Sequence, residues 1–157
     1  MNDILTVGLP LYNSKFQYKT AINSLIKQKG IDFKWELVII EESNNNAVGR
    51  LALFRYSKKL YELGCNKIFH VPIKKKMPES MKWHKIAKLA DKNSKCIVLQ
   101  YDYINSKDNR LKKTYDSFKN DIECVESKDG YAVRTDILKD MFDCIFIKID
   151  SLKKKKI

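Results

Sequence analysis

The chain has 157 residues and a mass of 18.4 kDa, with 44% apolar and 32% charged side chains, the size and balance of one compact domain rather than a tail, a linker or two full domains. Lysine and arginine (31) exceed aspartate and glutamate (19) by 12, an excess that attracts phosphate-rich partners such as nucleic acid, nucleotides or an anionic membrane and says nothing about fold. The longest apolar runs, Cys96 to Leu99 and Ile145 to Ile147, fall far short of the ~20 residues that cross a bilayer.

In chain order, Ile4 to Leu11 is a largely apolar run stopped by Pro10 and a Tyr12-Asn13-Ser14 turn, which predicts a buried strand. From Phe16 to Lys29 the apolar positions recur at three and four, with Gly30 placed where a helix stops. Trp35 to Ile40 is β-branched and almost continuously apolar, the pattern of a parallel strand covered on both faces, and it runs into Glu41-Glu42-Ser43. A second helix is predicted over Ala47 to Leu63 and a third strand over Lys67 to Val71. After the Lys74 to Pro78 loop, a helix opening at Glu79 or Ser80 carries Met81, Trp83, Ile86, Ala87 and Leu89, with Trp83 read as core. Cys96 to Tyr101 is the clearest buried strand, with Asp102 at its C-terminal edge. A short helix over Leu111 to Phe118, a strand over Ile122 to Glu126, an extended piece over Tyr131 to Val133 and a helix over Thr135 to Phe142 with a threonine cap follow. The domain is expected over 1–150, with 151–157 as a basic tail whose lysines, Lys153 to Lys156, are solvated and frayed.

Strands alternating with helices at this spacing predict a three-layer α/β domain with a mainly parallel central sheet and right-handed crossovers. Ligands bind such sheets outside the carboxyl ends of the strands. Tyr12-Asn13, Glu41-Glu42 and Gln100 with Asp102 all fall at that edge, and this convergence is the main functional signal.

The four cysteines, Cys65, Cys96, Cys124 and Cys144, have no C-x-x-C pair and no histidine at zinc-ligand spacing, so they are read as reduced core thiols. His70 and His84 are read as strand-end or surface residues. An N-terminus that carries Asp3 where a secretory signal carries basic residues leads to the expectation of a cytoplasmic protein.

The segments Val7 to Asn13 (V-G-L-P-L-Y-N), Glu36 to Ser43 (E-L-V-I-I-E-E-S), Cys96 to Asp102 (C-I-V-L-Q-Y-D) and Asp129 to Leu138 (D-G-Y-A-V-R-T-D-I-L) stand in the order found in the N-terminal half of family 2 glycosyltransferases. The sequence resembles that family, with its GT-A nucleotide-sugar-binding, Rossmann-like fold, as a short or truncated member. The resemblance implies transfer of a sugar from a nucleotide diphosphate donor, a UDP-sugar being favoured, to an unknown acceptor. It places Pro10, Leu11 and Tyr12 in the base pocket, Glu41 or Glu42 on the base or ribose, and Asp102 on a divalent cation, manganese or magnesium. Lys85, with Lys82, His84 and Lys88, lies on the helix leading into the Asp102 strand, where basic groups approach the phosphates. Two departures stand out: Gln100 replaces the first acid of the family's D-x-D, and Glu-Glu replaces the Asp-Asp of the second strand. No catalytic base is assigned.

The rival reading is a small basic α/β protein that binds nucleic acid, or a metal-dependent nuclease using Glu41, Glu42 and Asp102. With four arginines among 31 basic residues and no zinc finger or helix-turn-helix, that reading is disfavoured. A non-catalytic nucleotide-sugar fold is a third option, and the lysine runs at 74–76 and 153–156 suit peripheral contact with a membrane surface.

Overall fold

The computed structural model describes residues 3–12, 18–42, 47–101, 105–118, 122–141 and 149–157, with the backbone alone described at 47–49 and 51–52. In chain order these form β1 (Ile4–Tyr12), α1 (Tyr18–Ile26), β2 (Lys34–Glu42), α2 (Ala47–Glu62), β3 (Cys65–Ile73), α3 (Glu79–Leu89), β4 (Ser94–Leu99), α4 (Arg110–Ser117), β5 (Cys124–Ser127), β6 (Gly130–Arg134), α5 (Thr135–Asp140) and β7 (Lys154–Lys156). One seven-stranded sheet has the order β3-β2-β1-β4-β6-β5-β7. Its first four strands are mutually parallel, as the near-continuous apolar runs predicted, and β6 pairs antiparallel with β4 and β5. The chain steps outward from β1 to β3, then returns through α3 to place β4 on the other side of β1. The order of winding therefore reverses between β1 and β4, and crevices form at such points.

Alternation along the strands divides the core into two layers. Leu5, Val7, Leu9, Leu11, Leu37 and Ile39 pack with Ala21, Ile22 and Leu25 of α1 and with Leu111 and Phe118. Val38, Ile40, Ile97 and Leu99 pack on the opposite face with Trp83, Ile86 and Ala87 of α3 and Leu138 of α5. Successive side chains of a strand point to opposite faces, so an unbroken apolar run feeds both layers at once. This is the three-layer α/β arrangement, and Trp83 is a core residue, fully buried.

Gly8 sets how close α3 lies to the sheet. A Cβ there would sit 2.7 Å from Trp83 Cζ3 and 2.9 Å from Ile86 Cγ2, inside normal contact distance.

Several boundaries differ from those expected. α1 is described from Tyr18, and Phe16, the predicted start, lies outside the described residues. β2 runs two residues further than its apolar stretch, so Glu41 and Glu42 are strand residues and not loop residues. The Thr135 hydroxyl does not cap α5; it lies 2.9 Å from Ser94 Oγ, which is 2.6 Å from Thr6 Oγ1. That chain of hydroxyls ends on buried Glu36, whose Oε1 accepts bonds from Thr6 Oγ1 (2.7 Å) and the Asp91 N–H (2.8 Å) while Oε2 has no hydrogen-bond partner among the described residues.

The C-terminal lysines are not frayed. Lys154 to Lys156 pair in parallel with Cys124 to Glu126, and the Ile157 N–H donates to the Glu126 carbonyl at 2.9 Å. Backbone pairing is indifferent to side-chain charge, and lysines on an edge strand keep their ammonium groups in water while discouraging further pairing. Solvated side chains and an ordered backbone coexist here.

Cys65, Cys96 and Cys124 are buried free thiols; burial pushes Cys65 and Cys124 up to about 12 and raises Cys96 further, while Cys144 lies outside the described residues. His70 and His84 are not surface residues: His70 sits within β3 against Glu41, and His84 is buried on α3. No described helix is long and apolar enough to cross a membrane.

Candidate functional site

The sequence-predicted residues meet the C-terminal edge of the sheet, and the strand geometry then separates them. Leu11 pairs with Glu41 and Tyr12 with Glu42 in the β1–β2 register. Pro10, Tyr12 and Glu42 share the α3 face, whereas Leu11 and Glu41 share the face covered by α1 and α2. Leu11 is a core residue at 4% exposure. Glu41 lies 2.6 Å from His70 Nε2, and both side chains are almost fully buried, so its carboxylate is already committed to an internal partner.

On the α3 face a compact group forms. Lys82 is fully buried, and its Nζ lies 2.5 Å from Glu42 Oε2 and 3.7 Å from the centroid of the Tyr12 ring. The contact with Glu42 is an ion pair that sets a buried ammonium against a partly exposed carboxylate. Glu42 Oε2 also accepts the Met77 N–H at 3.2 Å, and its side chain keeps 22% exposure. The contact with Lys82, followed by the Met77 N–H, holds the Glu42 carboxyl below its usual range despite partial burial. Tyr12 is 38% exposed, so this cluster reaches solvent through an aromatic face and a carboxylate edge, with a buried cation behind them.

Beside it, Tyr101 Oη donates to Glu79 Oε1 (2.6 Å) and Trp83 Nε1 donates to the same oxygen (3.2 Å), with the two rings edge to face at 5.6 Å. Glu79 thereby ties the first turn of α3 to the end of β4. Lys85 is half-buried one residue beyond His84 and does not share the Lys82 contacts to Glu42 and Tyr12.

The end of β4 turns its amide the other way. Gln100 is fully buried, and its Oε1 accepts bonds from Arg110 Nη1 (2.8 Å) and Ser106 Oγ (3.0 Å) on the α4 side of the sheet. A carbonyl oxygen filled by a guanidinium and a hydroxyl is not presented to a cation. Asp102 lies outside the described residues, and among the described residues no group of three histidine, cysteine or acidic side chains is placed to hold a metal ion.

Lys82, Glu79, Tyr101 and Arg110 are the residues that sequence reasoning passed over or undervalued. Lys82 had a signal: it stands at i, with Ile86 at i+4 and Leu89 at i+7, on the apolar side of its helix, where a lysine is out of place unless paired. Arg110 had none, because its partners are 10 and 4 residues away through a turn.

No known family profile and no curated protein matches the sequence. Solved structures do match. The mannosyltransferase of Pyrobaculum calidifontis, solved with GDP-Man and Mn2+, superposes with a TM-score of 0.74 at 12% identity over 98% of this chain and 54% of its own. S. aureus TarS residues 1–349, solved with UDP-GlcNAc, gives 0.66 at 16% identity over 88% of this chain and 47% of its own. The 4-diphosphocytidyl-2C-methyl-D-erythritol synthase of Anaerococcus prevotii gives 0.67 at 13% identity, covering 99% and 87%. The chain thus spans about half the length of the two glycosyltransferase structures and most of the synthase. At these identities the likeness lies in the backbone: the chain has the GT-A-like, three-layer α/β fold of nucleotide-sugar transferases.

Proposed function

We propose that this domain binds a nucleoside diphosphate sugar, with a UDP-sugar as the favoured donor, and transfers the sugar to an acceptor. The observation that carries this reading is the Tyr12–Lys82–Glu42 cluster at the reversal point between β1 and β4, the place where such sheets take ligands. The exposed side of Tyr12 offers a stacking face for a base, Glu42 an acceptor for a base N–H or a ribose hydroxyl, and Lys82 a positive charge for the diphosphate. Pro10, next to the cluster and buried, shapes its floor. Negative charge arriving as diphosphate competes with Glu42 for Lys82 and frees the carboxylate to accept from the sugar-nucleotide. The GDP-Man and UDP-GlcNAc found in the structural neighbours support a nucleotide sugar as the ligand class. In this reading Asp102 is the one residue retained as a ligand for manganese or magnesium, and no step of the reaction is derived through the ion.

Calorimetry with UDP and GDP, each with and without Mn2+, tests the proposal. Binding at or below about 1 mM is expected, equivalent to roughly 4 kcal/mol of standard binding free energy. Absence of nucleotide binding together with salt-steep binding of an oligonucleotide would replace this reading by the nucleic-acid one. Asp102→Asn should leave the fold intact by circular dichroism and abolish any Mn2+ enhancement; an enhancement that survives removes Asp102 from the site.

A further inference from the structure

A cavity of about 240 Å³ opens between α4 and the β5–β6 turn, on the face of the sheet opposite the Tyr12–Lys82–Glu42 cluster. Its walls include Lys107, Arg110, Lys113 and Lys128, with Asp129 and Ile157. We propose that this cavity binds a phosphate-bearing anion, at a site separate from the Tyr12–Lys82–Glu42 cluster and independent of the nucleotide reading.

Arg110 carries the argument. It is 3% exposed, and among the described residues its guanidinium bonds only to uncharged oxygens: Gln100 Oε1 (2.8 Å), Ser106 Oγ (2.9 Å) and the Leu99 carbonyl (3.3 Å). Among the described residues no carboxylate, that of Ile157 included, lies within 4.0 Å of Arg110, Lys107, Lys113 or Lys128. Asp129, the nearest acid in the wall, spends Oδ2 on the Lys107 N–H at 2.9 Å. A buried charge is normally paired, because removing it from water costs several kcal/mol and neutral dipoles recover only part of that. Burial accordingly draws Arg110 down to about 10, with Asp129 opposing the shift.

The surroundings add to the imbalance. Three exposed lysines, Lys107, Lys113 and Lys128, ring the mouth. Gly130, whose φ of +111° is open to glycine, brings its Cα side toward Arg110: a Cβ there would lie 3.5 Å from Nη2. Bonds to the described residues use three of the guanidinium's five N–H groups, and a tetrahedral oxyanion meets such a fork and the rim ammonium groups from several directions together. The volume, against about 30 Å³ per water, accommodates a phosphate or pyrophosphate group.

The full chain, titrated with sodium phosphate and then pyrophosphate and followed by amide chemical shifts, should show saturable changes at Gln100, Ser106 to Lys113 and Ser127 to Gly130. The double variant Lys113→Glu/Lys128→Glu should weaken this binding by about tenfold or more, while Lys58→Glu/Lys59→Glu, exposed on α2 and outside the cavity wall, leaves it unchanged. Loss of affinity by both double variants alike, or shifts that never saturate, means an adventitious ion only and overturns the proposal. Phosphatidylglycerol vesicles separate the sources: co-sedimentation that the first double variant abolishes assigns a lipid headgroup, and saturation by free phosphate without co-sedimentation assigns a soluble phosphoester. UDP binding measured on the same first double variant keeps the two readings apart, since the nucleotide site can fail while phosphate binding persists, and the reverse.

Discussion

Two buried cations flank the C-terminal edge of the sheet, one on each face, and they are satisfied differently. Lys82 on the α3 face has a carboxylate 2.5 Å away, whereas Arg110 on the α4 face has three neutral oxygens. Lys82 is therefore a charge already neutralised inside the protein, released only when a stronger anion competes for it. Arg110 is a charge held open by geometry: its planar fork is oriented by β4 and its turn, yet among the described residues no carboxylate forms an ion pair with it, Asp129 in the same wall acting only at longer range. The contrast separates a site that must exchange partners from a site that only needs to be filled.

Substitutions at the two cations test that contrast most directly. Lys82→Met removes the neutralising partner of Glu42 and should abolish UDP binding by calorimetry, with a stability loss of about 1–3 kcal/mol in urea unfolding because the partly exposed Glu42 can rehydrate. Arg110→Lys keeps the charge and loses the fork, so about 1–2 kcal/mol of stability should disappear while the net charge stays fixed. Equal stability of Arg110→Lys and wild type would mean that charge, not geometry, is what the fold uses there. Gly8→Ala forces Trp83 and Ile86 away from β1 and should cost about 1–2 kcal/mol, with weaker UDP binding because Lys82 rides on the same helix.

Smaller effects sharpen the same comparison. Glu42 titrates below its ordinary value of 4.5 in the folded protein, so its pairing stabilises the fold above that pH and the contribution disappears as pH falls through the lower folded value. Glu42→Gln should flatten that acid limb of the stability profile, and a limb of unchanged steepness in the variant would assign it to other carboxylates. The smallest change is expected at Glu36→Gln, where the amide keeps the acceptor for Thr6 and Asp91 and removes a buried charge with an orphaned oxygen. Thermal unfolding should shift upward by the equivalent of less than about 1 kcal/mol.

Much of the architecture was legible because it follows from periodicity. The runs at Ile4 to Leu11, Trp35 to Ile40 and Cys96 to Tyr101 contain too little polarity for a half-exposed strand, and a sheet buried on both faces is the consequence. The resemblance to family 2 transferases led to the same GT-A-like fold. Of the expected site residues, Pro10, Tyr12 and Glu42 came together on the α3 face, whereas Leu11 and Glu41 turned to the opposite face.

The tail shows where sequence reasoning stops at the backbone. Four consecutive lysines read as solvent-seeking, and their side chains are; only the exposed edge of β5 decided that their N–H and C=O groups would pair. That edge is set by residues distant in sequence.

By itself the sequence determined the element types, the parallel sheet and the edge at which polar groups gather, because those depend on local pattern and on how apolar runs are buried. Only the tertiary structure decided which of those groups share a face. Glu41 and Glu42 are neighbours in sequence, and once β2 continued through both, the two-residue period of the strand sent one to His70 and the other to Lys82. The same closure of the fold put Arg110 under Gln100 with no ion-pair partner among the described residues, leaving a largely positive cavity that no local pattern records.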